Sequence, residues 1–447
     1  MAVPLTLATC GYLLWLGFIF NRLLTTSMPR PSDVMLLSLF FYNFPLALIA
    51  SIPELAEVTP YLVFLNPIAS DAEIAETTIA LTILASISVA TGRWMSGRFM
   101  HVGARKHSVL ASISIQRAAA KLSILFLLTI AIGVALFGFE SFFAGYAVES
   151  NSDASSDGIA LIFFAYEAIG LCAFIWYCGY RHTGKRIGMA LMVIAMSTII
   201  AITLTRGKRL ELIIALLPLL LVLWSTRLLT VKARATTIVI IVVTISALAS
   251  IRQGELPDAS SIAFNFFSEG LYAGHVTPGV IDALEAGQVK AENGLRFVAA
   301  LAAFVPRFVF PQKDDLIYES LTDMKQFAPL GATSMLAEIL LQGGATAVVV
   351  SFAFLGWLAR RLEIPSLLRS DGRIELRTVL YILFVCSFVL HFRDGIITST
   401  KIPLQLLVVF FIVLWLGGMK LQLRPIRSNG NSSKYSEAEP ISRVGSR

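Results

Sequence analysis

Positively charged residues are concentrated in three separate parts of an otherwise apolar chain, where they could bind a common anion. The first part is a tight turn, Arg206-Gly207-Lys208-Arg209, between two apolar runs. The second is the long segment 251–332, in which Arg307 and Lys313 flank an aromatic run bounded by prolines. The third is His391-Phe392-Arg393-Asp394-Gly395. Because these groups lie far apart in the sequence, a shared anion site requires the fold to bring them together.

The same bases have a simpler interpretation, because Lys and Arg near the ends of membrane helices often extend toward lipid phosphates. That interpretation is favoured for three lysines outside the tight turn and the proline-bounded strip: Lys290, Lys325 and Lys401. For Arg206, Arg307 and Arg393 the sequence favours binding. Each of these lies in a turn or strip that is expected on one face of a membrane.

Three acidic residues lie inside apolar runs, where an ionisable group is costly and indicates a functional site by default. One of them, Glu211, follows the basic turn by two residues and fits a simple ion pair with Arg206 or Lys208. Glu338 lies about one helical turn into the run 333–358, and Glu167 lies in the middle of the run 159–178. The motifs around Glu338 favour a functional role. Glu167 fits a structural partner for an arginine and a member of a site equally well.

The composition requires elements that do not face water. Of the 447 residues, 56% are hydrophobic and 15% are charged, whereas a soluble domain carries about 25% charged residues. A run of about 20 apolar residues crosses a bilayer as a helix, and irregular backbone cannot face lipid. The sequence therefore predicts an all-α polytopic integral membrane protein with about eleven transmembrane helices, over residues 3–20, 34–52, 76–95, 122–139, 159–178, 188–204, 210–225, 235–250, 333–358, 378–391 and 403–419.

The distribution of Lys and Arg among the short loops predicts the orientation of the bundle. The loops at 53–75 and 140–157 contain acidic residues and no Lys or Arg. The alternate loops are rich in Lys and Arg and are therefore predicted to be cytoplasmic. This orientation places the N-terminus outside and the C-terminus inside. It also accounts for the net charge of +7 without a nucleic-acid partner.

Four regions follow from the spans and loops: membrane helices 1 to 8 over 1–250, a long extracytoplasmic loop over 251–332, membrane helices 9 to 11 over 333–423, and a tail over 424–447. Loops longer than about 15 residues are usually functional or disordered, and this loop is too apolar for disorder. It is predicted to be partly helical, with interfacial helices, and to form a lid packed on the bundle. The tail is rich in Ser, Asn, Gly and Glu, which is typical of a disordered cytoplasmic segment.

An ordered set of motifs runs between about 200 and 360. Pro306-Arg307 and then Pro311-Gln312-Lys313 precede the helix start Ala337-Glu338-Ile339-Leu340-Leu341-Gln342-Gly343-Gly344. This order resembles the Wzy-type O-antigen polymerases, which join oligosaccharide repeat units. In that family a Pro-Arg and Pro-x-Lys strip precedes a helix that opens with Glu and continues to Asn-Phe-Gly, and Gln342-Gly343-Gly344 departs from the last motif. Thr205-Arg206-Gly207 resembles the basic turn that the polymerases share with O-antigen ligases.

The resemblance implies that a growing chain on undecaprenyl diphosphate is transferred to a fresh lipid-linked repeat, at the periplasmic face of a bacterial inner membrane. Cations would stabilise the charge that develops on the departing diphosphate, and the residues assigned to this role are Arg206, Lys208, Arg209, Arg307, Lys313 and Arg393. Three residues are candidates for a general base: Glu338, His275 and Asp394. The implied partners are the lipid-linked oligosaccharide, the bilayer and, as a further candidate, a chain-length regulator protein. No cofactor and no metal are expected.

Three other functions remain open at the level of sequence. An O-antigen ligase would transfer the finished chain to lipid A core. A flippase or transporter of lipid-linked sugar would hold its binding charges near the bilayer midplane on broken helices, and Glu167 favours this alternative. A purely structural membrane subunit is the third. The chain contains no Walker loop, no His-Glu-x-x-His and no nucleophile elbow, which argues against an ATP-driven pump or a zinc protease.

Overall fold

The computed structural model describes residues 2–51, 71–98, 108–110, 112–137, 156–205, 209–225, 229–252, 273–305, 309–312, 333–364 and 373–418, with a few isolated positions between them. Over these residues the protein is mostly helical. The helices are α1 Ala2–Thr25, α2 Pro31–Ser51, α3 Ala72–Arg98, α4 Ile113–Phe137, α5 Ser156–Thr183, α6 Met189–Thr205, α7 Arg209–Ser225, α8 Val231–Arg252, α9 Val276–Glu285, α10 Leu295–Ala302, α11 Met335–Leu362 and α12 Leu376–Leu416. Two short strands, β1 Ser108–Leu110 and β2 Arg373–Glu375, pair antiparallel.

Four described helices are long and apolar enough to cross a membrane: Glu73–Arg98, Ile113–Leu136, Met335–Leu362 and Gly395–Leu416. The helical class predicted from the sequence is therefore confirmed. Each of the eleven predicted spans overlaps a described helix, because a long apolar run satisfies its backbone groups most readily as a helix. The number of helices that actually cross the bilayer stays a prediction.

The outward face of α4 shows why the bundle suits a membrane. Leu125, Leu128, Ile132 and Leu136 recur every three or four residues, and they are 56%, 53%, 58% and 74% exposed. The opposite face of the same helix is buried in the bundle, as at Ile115. A soluble protein rarely leaves such a continuous apolar stripe open to water, whereas lipid tails would cover it without cost.

The helix α12 is a hairpin and not one straight rod. It covers 41 residues, but Gly395 has φ 75° and ψ −176°, which is not helical geometry. The Ser387 hydroxyl donates to the carbonyl oxygen of Ser399 at 3.5 Å, although residues 12 apart on a straight helix would be about 18 Å apart. The chain therefore reverses direction near Gly395. The predicted spans 378–391 and 403–419 correspond to the two arms of this hairpin.

The helix α11 is also broken, close to its start. Gly343 and Gly344 have non-helical backbone angles, with φ 63° and ψ −155° at Gly344. The break separates a first short helix, 335–342, in which every residue is buried, from a longer helix over 345–362. The sequence predicted one continuous span here, and the Gly-Gly pair explains the difference because only glycine readily adopts the geometry seen at Gly344.

The longer part of α11 packs closely on α3. A side chain at Gly92 would overlap the carbonyl oxygen of Ala353, and one at Gly356 would overlap the carbonyl oxygen of Val89. The two backbones thus touch through glycines, which is the usual way for membrane helices to pack. This contact fixes α11, and with it the residues at its start.

The helix ends that were predicted to be cytoplasmic lie together at one end of the bundle. Asp33, near the start of α2, accepts hydrogen bonds of 2.8 and 3.0 Å from Arg22 near the end of α1. Arg93, near the end of α3, forms an ion pair of 2.8 Å with Glu363, which follows α11. At the same end, β1 and β2 join the chain after α3 to the chain after α11. We refer to this as the basic end of the bundle.

The long segment contributes two short helices to the opposite end. The helix α10 buries Arg296, whereas Val298 and Leu301 are 57% and 63% exposed; its predicted interfacial position stays a prediction. The helix α9 is different, because nearly all its residues are buried. Just before it, a side chain at Gly274 would overlap the carbonyl oxygen of Tyr42, so the segment contacts the backbone of α2 directly. Thus α9 is part of the core and not only a cover over it.

Candidate functional site

A buried ion pair marks the end of the bundle opposite the basic end. The Arg296 guanidinium on α10 lies 2.8 Å from Oε1 of Glu338 in the first turn of α11, and the two side chains are only 3% and 1% exposed. The backbone N–H of Ile396 on α12 donates to Oε2 of the same carboxylate at 2.5 Å. One carboxylate on α11 therefore binds Arg296 of α10, which lies 42 residues earlier in the chain, and Ile396 of α12, which lies 58 residues later.

A glutamine extends this network toward the surface. Oε1 of Gln342 accepts the backbone N–H of Arg296 at 3.0 Å, and Nε2 of Gln342 donates to Oε2 of Glu292 at 2.7 Å. The backbone N–H of Glu292 in turn donates to the carbonyl oxygen of Leu341 at 2.9 Å. Because Gln342 immediately precedes the break in α11, the break positions its amide between the two charged groups.

The tip of the α12 hairpin contacts this network at Gly395. A side chain there would overlap Oε1 of Glu338 and the hydroxyl oxygen of Thr333. Arg393 and Asp394 directly precede this glycine in the described backbone, and their side chains lie outside the described part of the structure. The fold therefore brings the backbone of two predicted site residues next to Glu338.

A second polar contact joins α9 to the start of α11. The Thr277 hydroxyl donates to the hydroxyl oxygen of Ser334 at 3.1 Å, and the carbonyl oxygen of Ser334 accepts the N–H of Glu338 at 2.9 Å. His275 lies two residues before Thr277 and is 5% exposed. This predicted base is thus linked to Glu338 through Thr277 and Ser334, but its side chain is buried in the bundle.

The lengths of the helices give the depth of the site. Residues 345–362 of α11 form about 27 Å of helix, and residues 376–394 of α12 form about 28 Å. Both helices run from the site to the basic end of the bundle. The hydrocarbon core of a bilayer is about 30 Å thick, so the network lies about one core thickness from the basic end.

The end of α6 and the start of α7 lie toward the same end of the bundle as Glu338. Arg234, after α7, donates to the carbonyl oxygen of Leu24 at 2.9 Å, and Gln116 donates to that of Lys185 at 2.7 Å, just before α6. These contacts hold the far ends of α6 and α7 at the basic end. The end of α6 at Thr205 and the start of α7 at Arg209 therefore lie toward the opposite end, and residues 206–208 themselves lie outside the described part of the structure.

Several predicted anion-binding residues fall outside the described residues, as side chains or entirely: Arg206, Lys208, Arg209, Arg307, Lys313 and Arg393. Their convergence stays a prediction. The described part of the site holds two carboxylates, Glu292 and Glu338, against one guanidinium.

Arg296 and Glu292 were not among the predicted site residues. For Arg296 a signal was present, because Ala299 and Ala300 follow at i+3 and i+4 and place the arginine on a small-residue, core-facing side of α10. For Glu292 the signal was the Asn293-Gly294 pair, which is typical of a tight turn. Neither signal reveals the partner.

No group of three or more His, Cys, Asp or Glu side chains could hold a metal ion within the described ranges. The expectation of a metal-free site stays a prediction. Comparisons of the chain with protein-family models, with curated proteins and with solved structures found no match.

Proposed function

We propose that this chain is a membrane polysaccharide polymerase of the O-antigen type, which joins lipid-linked oligosaccharide repeats at the periplasmic face of a bacterial inner membrane. The observation that supports this best is the position of the Glu338 network. It lies at the end of the bundle opposite the basic end, where the long segment, the start of α11 and the tip of the α12 hairpin meet. By the charge rule the basic end is cytoplasmic, so this end faces the periplasm.

The proposed reaction needs no nucleotide. A hydroxyl group of the acceptor repeat attacks the anomeric carbon of the growing chain, a new C–O bond forms, and the bond from that carbon to the diphosphate breaks. The electron pair leaves with undecaprenyl diphosphate, and the hydroxyl proton passes to a base. Arg206, Arg307 and Arg393, aided by Lys208, Arg209 and Lys313, are assigned to the diphosphate, because fixed cations in a poorly hydrated site stabilise such developing charge by several kcal/mol.

The bases can be tested in the native bacterium by replacing the chromosomal gene with Arg206→Ala or Arg307→Ala. Both variants are expected to reach the membrane at the wild-type level and to lose the long chains of the surface glycan on a gel. Lys290→Ala is the matched control, because Lys290 is an exposed base of the same long segment, and it should leave the chain-length distribution unchanged. A full chain-length distribution in both arginine variants would contradict the assignment.

A ligase is the nearest alternative enzyme, and the gene deletion distinguishes the two. Loss of a polymerase leaves single repeats on lipid A core, whereas loss of a ligase leaves finished polymer on the carrier lipid. Accumulation of carrier-linked polymer in the deletion strain would therefore replace the polymerase with the ligase.

One observation favours a flippase or transporter as the second candidate. The two broken helices, α11 at Gly344 and α12 at Gly395, contact each other through Glu338, and transporters use broken helices at their binding sites. The depth of the contact favours the polymerase, since transporter sites lie near the midplane. Purified protein that extends lipid-linked repeats in detergent, where there are no two compartments, would exclude transport as the main activity.

A further inference from the structure

We infer that Glu292 is the general base of the proposed polymerase, and that Glu338 is a positioning residue. This inference rests on the proposed function. It adds a catalytic residue from the turn before α10 to the three candidates that the sequence offered, which are Glu338, His275 and Asp394.

Glu338 is poorly placed to accept a proton from a substrate. Its side chain is 1% exposed, and its two oxygens already accept from the Arg296 guanidinium and from the Ile396 N–H. The backbone of Gly395 covers the remaining side of the Glu338 carboxylate, because even a methyl group added at Gly395 would overlap Oε1 of Glu338. A base must come within hydrogen-bond reach of the proton it removes, and a sugar hydroxyl has no route to this carboxylate.

His275 meets the same objection. It is 5% exposed and precedes a helix that is buried against α2, α3 and α11. The segment cannot move outward as a unit without breaking the contact of Gly274 with Tyr42 and the Thr277–Ser334 hydrogen bond.

Glu292 combines partial exposure with a fixed orientation. Its side chain is half-buried, and it lies at the surface of the Arg296–Glu338 network. The Gln342 amide holds one carboxylate oxygen at 2.7 Å, and the backbone N–H is tied to Leu341 at 2.9 Å. A carboxylate can accept several hydrogen bonds, so this oxygen pair can bind Gln342 and still accept a substrate hydroxyl.

The backbone next to Glu292 adds an independent observation. Asn293 has φ 48°, and it is the one non-glycine residue with positive φ within the described part of the chain; Gly294 follows with φ 90°. Asn and Gly are the residues that adopt positive φ most readily, and together they form a tight turn. Here they turn the chain sharply between Glu292 and α10, which lets Glu292 contact Gln342 while Arg296 reaches Glu338.

In the reaction, the acceptor hydroxyl gives its proton to the Glu292 carboxylate as its oxygen bonds to the anomeric carbon. The electron pair of the broken bond leaves on the diphosphate, and the neutral Glu292 returns the proton to water. The Gln342 N–H holds the Glu292 carboxylate in a fixed orientation between turnovers. Glu338 takes no proton and holds Arg296 and the hairpin tip in place.

The experiment uses the purified full-length protein in detergent with an undecaprenyl-diphosphate-linked repeat, and it measures kcat/KM against pH. Wild type should show an acid limb where the base becomes protonated. Glu292→Gln should lower kcat/KM at neutral pH by about 100-fold or more and abolish the acid limb of the residual rate. Glu292→Asp should keep the acid limb at a lower rate. Glu338→Gln should lower the rate but keep the acid limb.

Glu285→Gln is the matched control, because Glu285 is an exposed carboxylate of the same segment; it should match wild type in rate and in size-exclusion elution. If Glu292→Gln keeps both the wild-type rate and the acid limb, the assignment of Glu292 is overturned while the polymerase stands. The same holds if Asp394→Asn, and not Glu292→Gln, removes the acid limb. If wild type extends no lipid-linked repeat, the proposed function fails and this inference fails with it.

Discussion

The Arg296–Glu338 pair is the residue-scale feature on which the site depends. Removing one partner of a buried ion pair costs about 3–5 kcal/mol, because the other charge is left without compensation. A loss of activity in Glu338→Ala would therefore not identify Glu338 as a base, since the same substitution would release Arg296 and the tip of α12. The pH profile is more informative, because loss of position leaves the titration of the true base intact.

Gly395 is the second residue-scale feature, because it combines a positive φ with a close contact. We predict that Gly395→Ala lowers the thermal midpoint of the purified protein and the polymerising rate. An alanine there has to adopt φ 75° and also displace Glu338 and Thr333. The midpoint can be measured by size-exclusion chromatography after heating.

Gly287→Ala separates the cost of a positive φ from the cost of a close contact. Gly287 has a similar φ of 67°, and no atom lies within 4 Å of the position of an added side chain. That substitution should cost about 1–2 kcal/mol from the backbone alone and leave the rate unchanged. If the two variants lose the same stability, the close contact of Gly395 with Glu338 contributes nothing.

At the scale of elements, the break in α11 positions the network. Gln342 can reach both Arg296 and Glu292 because the helix stops immediately after it. The sequence predicted the apolar run but not the break. The reason is that a Gly-Gly pair inside a membrane helix also fits close packing of helices, so only the tertiary structure distinguishes the two uses.

Alanine substitutions at the two glycines of the break are expected to differ in their effect on stability. Gly344→Ala should destabilise the protein by about 1–3 kcal/mol, because φ 63° with ψ −155° is accessible essentially to glycine alone. Gly343→Ala should be tolerated, since φ 172° is ordinary extended backbone and its added carbon would meet only Ala347, at 3.3 Å. Thermal midpoints of the two variants check this, and equal midpoints would contradict it.

The long segment shows one limit of reasoning from sequence about an element. Its apolar composition predicted interfacial helices, and α10 exposes Val298 and Leu301, but the interfacial position of α10 stays a prediction. The burial of α9 could not be predicted in the same way. It depends on Gly274 meeting the backbone of α2, and nothing local in the sequence indicates which helix a glycine will contact.

At the scale of the whole molecule, the bundle has two chemically different ends. One end gathers the basic loops around Asp33 and Glu363, and the other gathers Glu292, Arg296 and Glu338. By the charge rule the basic end is the one predicted to face the cytoplasm, and this orientation stays a prediction.

The orientation can be tested with single cysteines. All four natural cysteines would first be replaced, and Lys185→Cys or Lys290→Cys would then be introduced, because both lysines are exposed. A membrane-impermeant maleimide should label Lys290→Cys in spheroplasts, and Lys185→Cys only after the membrane is permeabilised. The reverse pattern would place the Glu338 network in the cytoplasm and contradict the proposed polymerase.

The sequence alone determined the helical class, the positions of the helices and Glu338 as an unusual carboxylate, because these depend on local hydropathy and on the cost of a charge in an apolar run. The tertiary structure decided the partners. Arg296 and Ile396 lie 42 and 58 residues from Glu338, and which of many arginines neutralises a buried carboxylate depends on how the helices pack. Glu292 became a candidate for the same reason, since its orientation comes from Gln342 across the break in α11 and not from its neighbours in the chain.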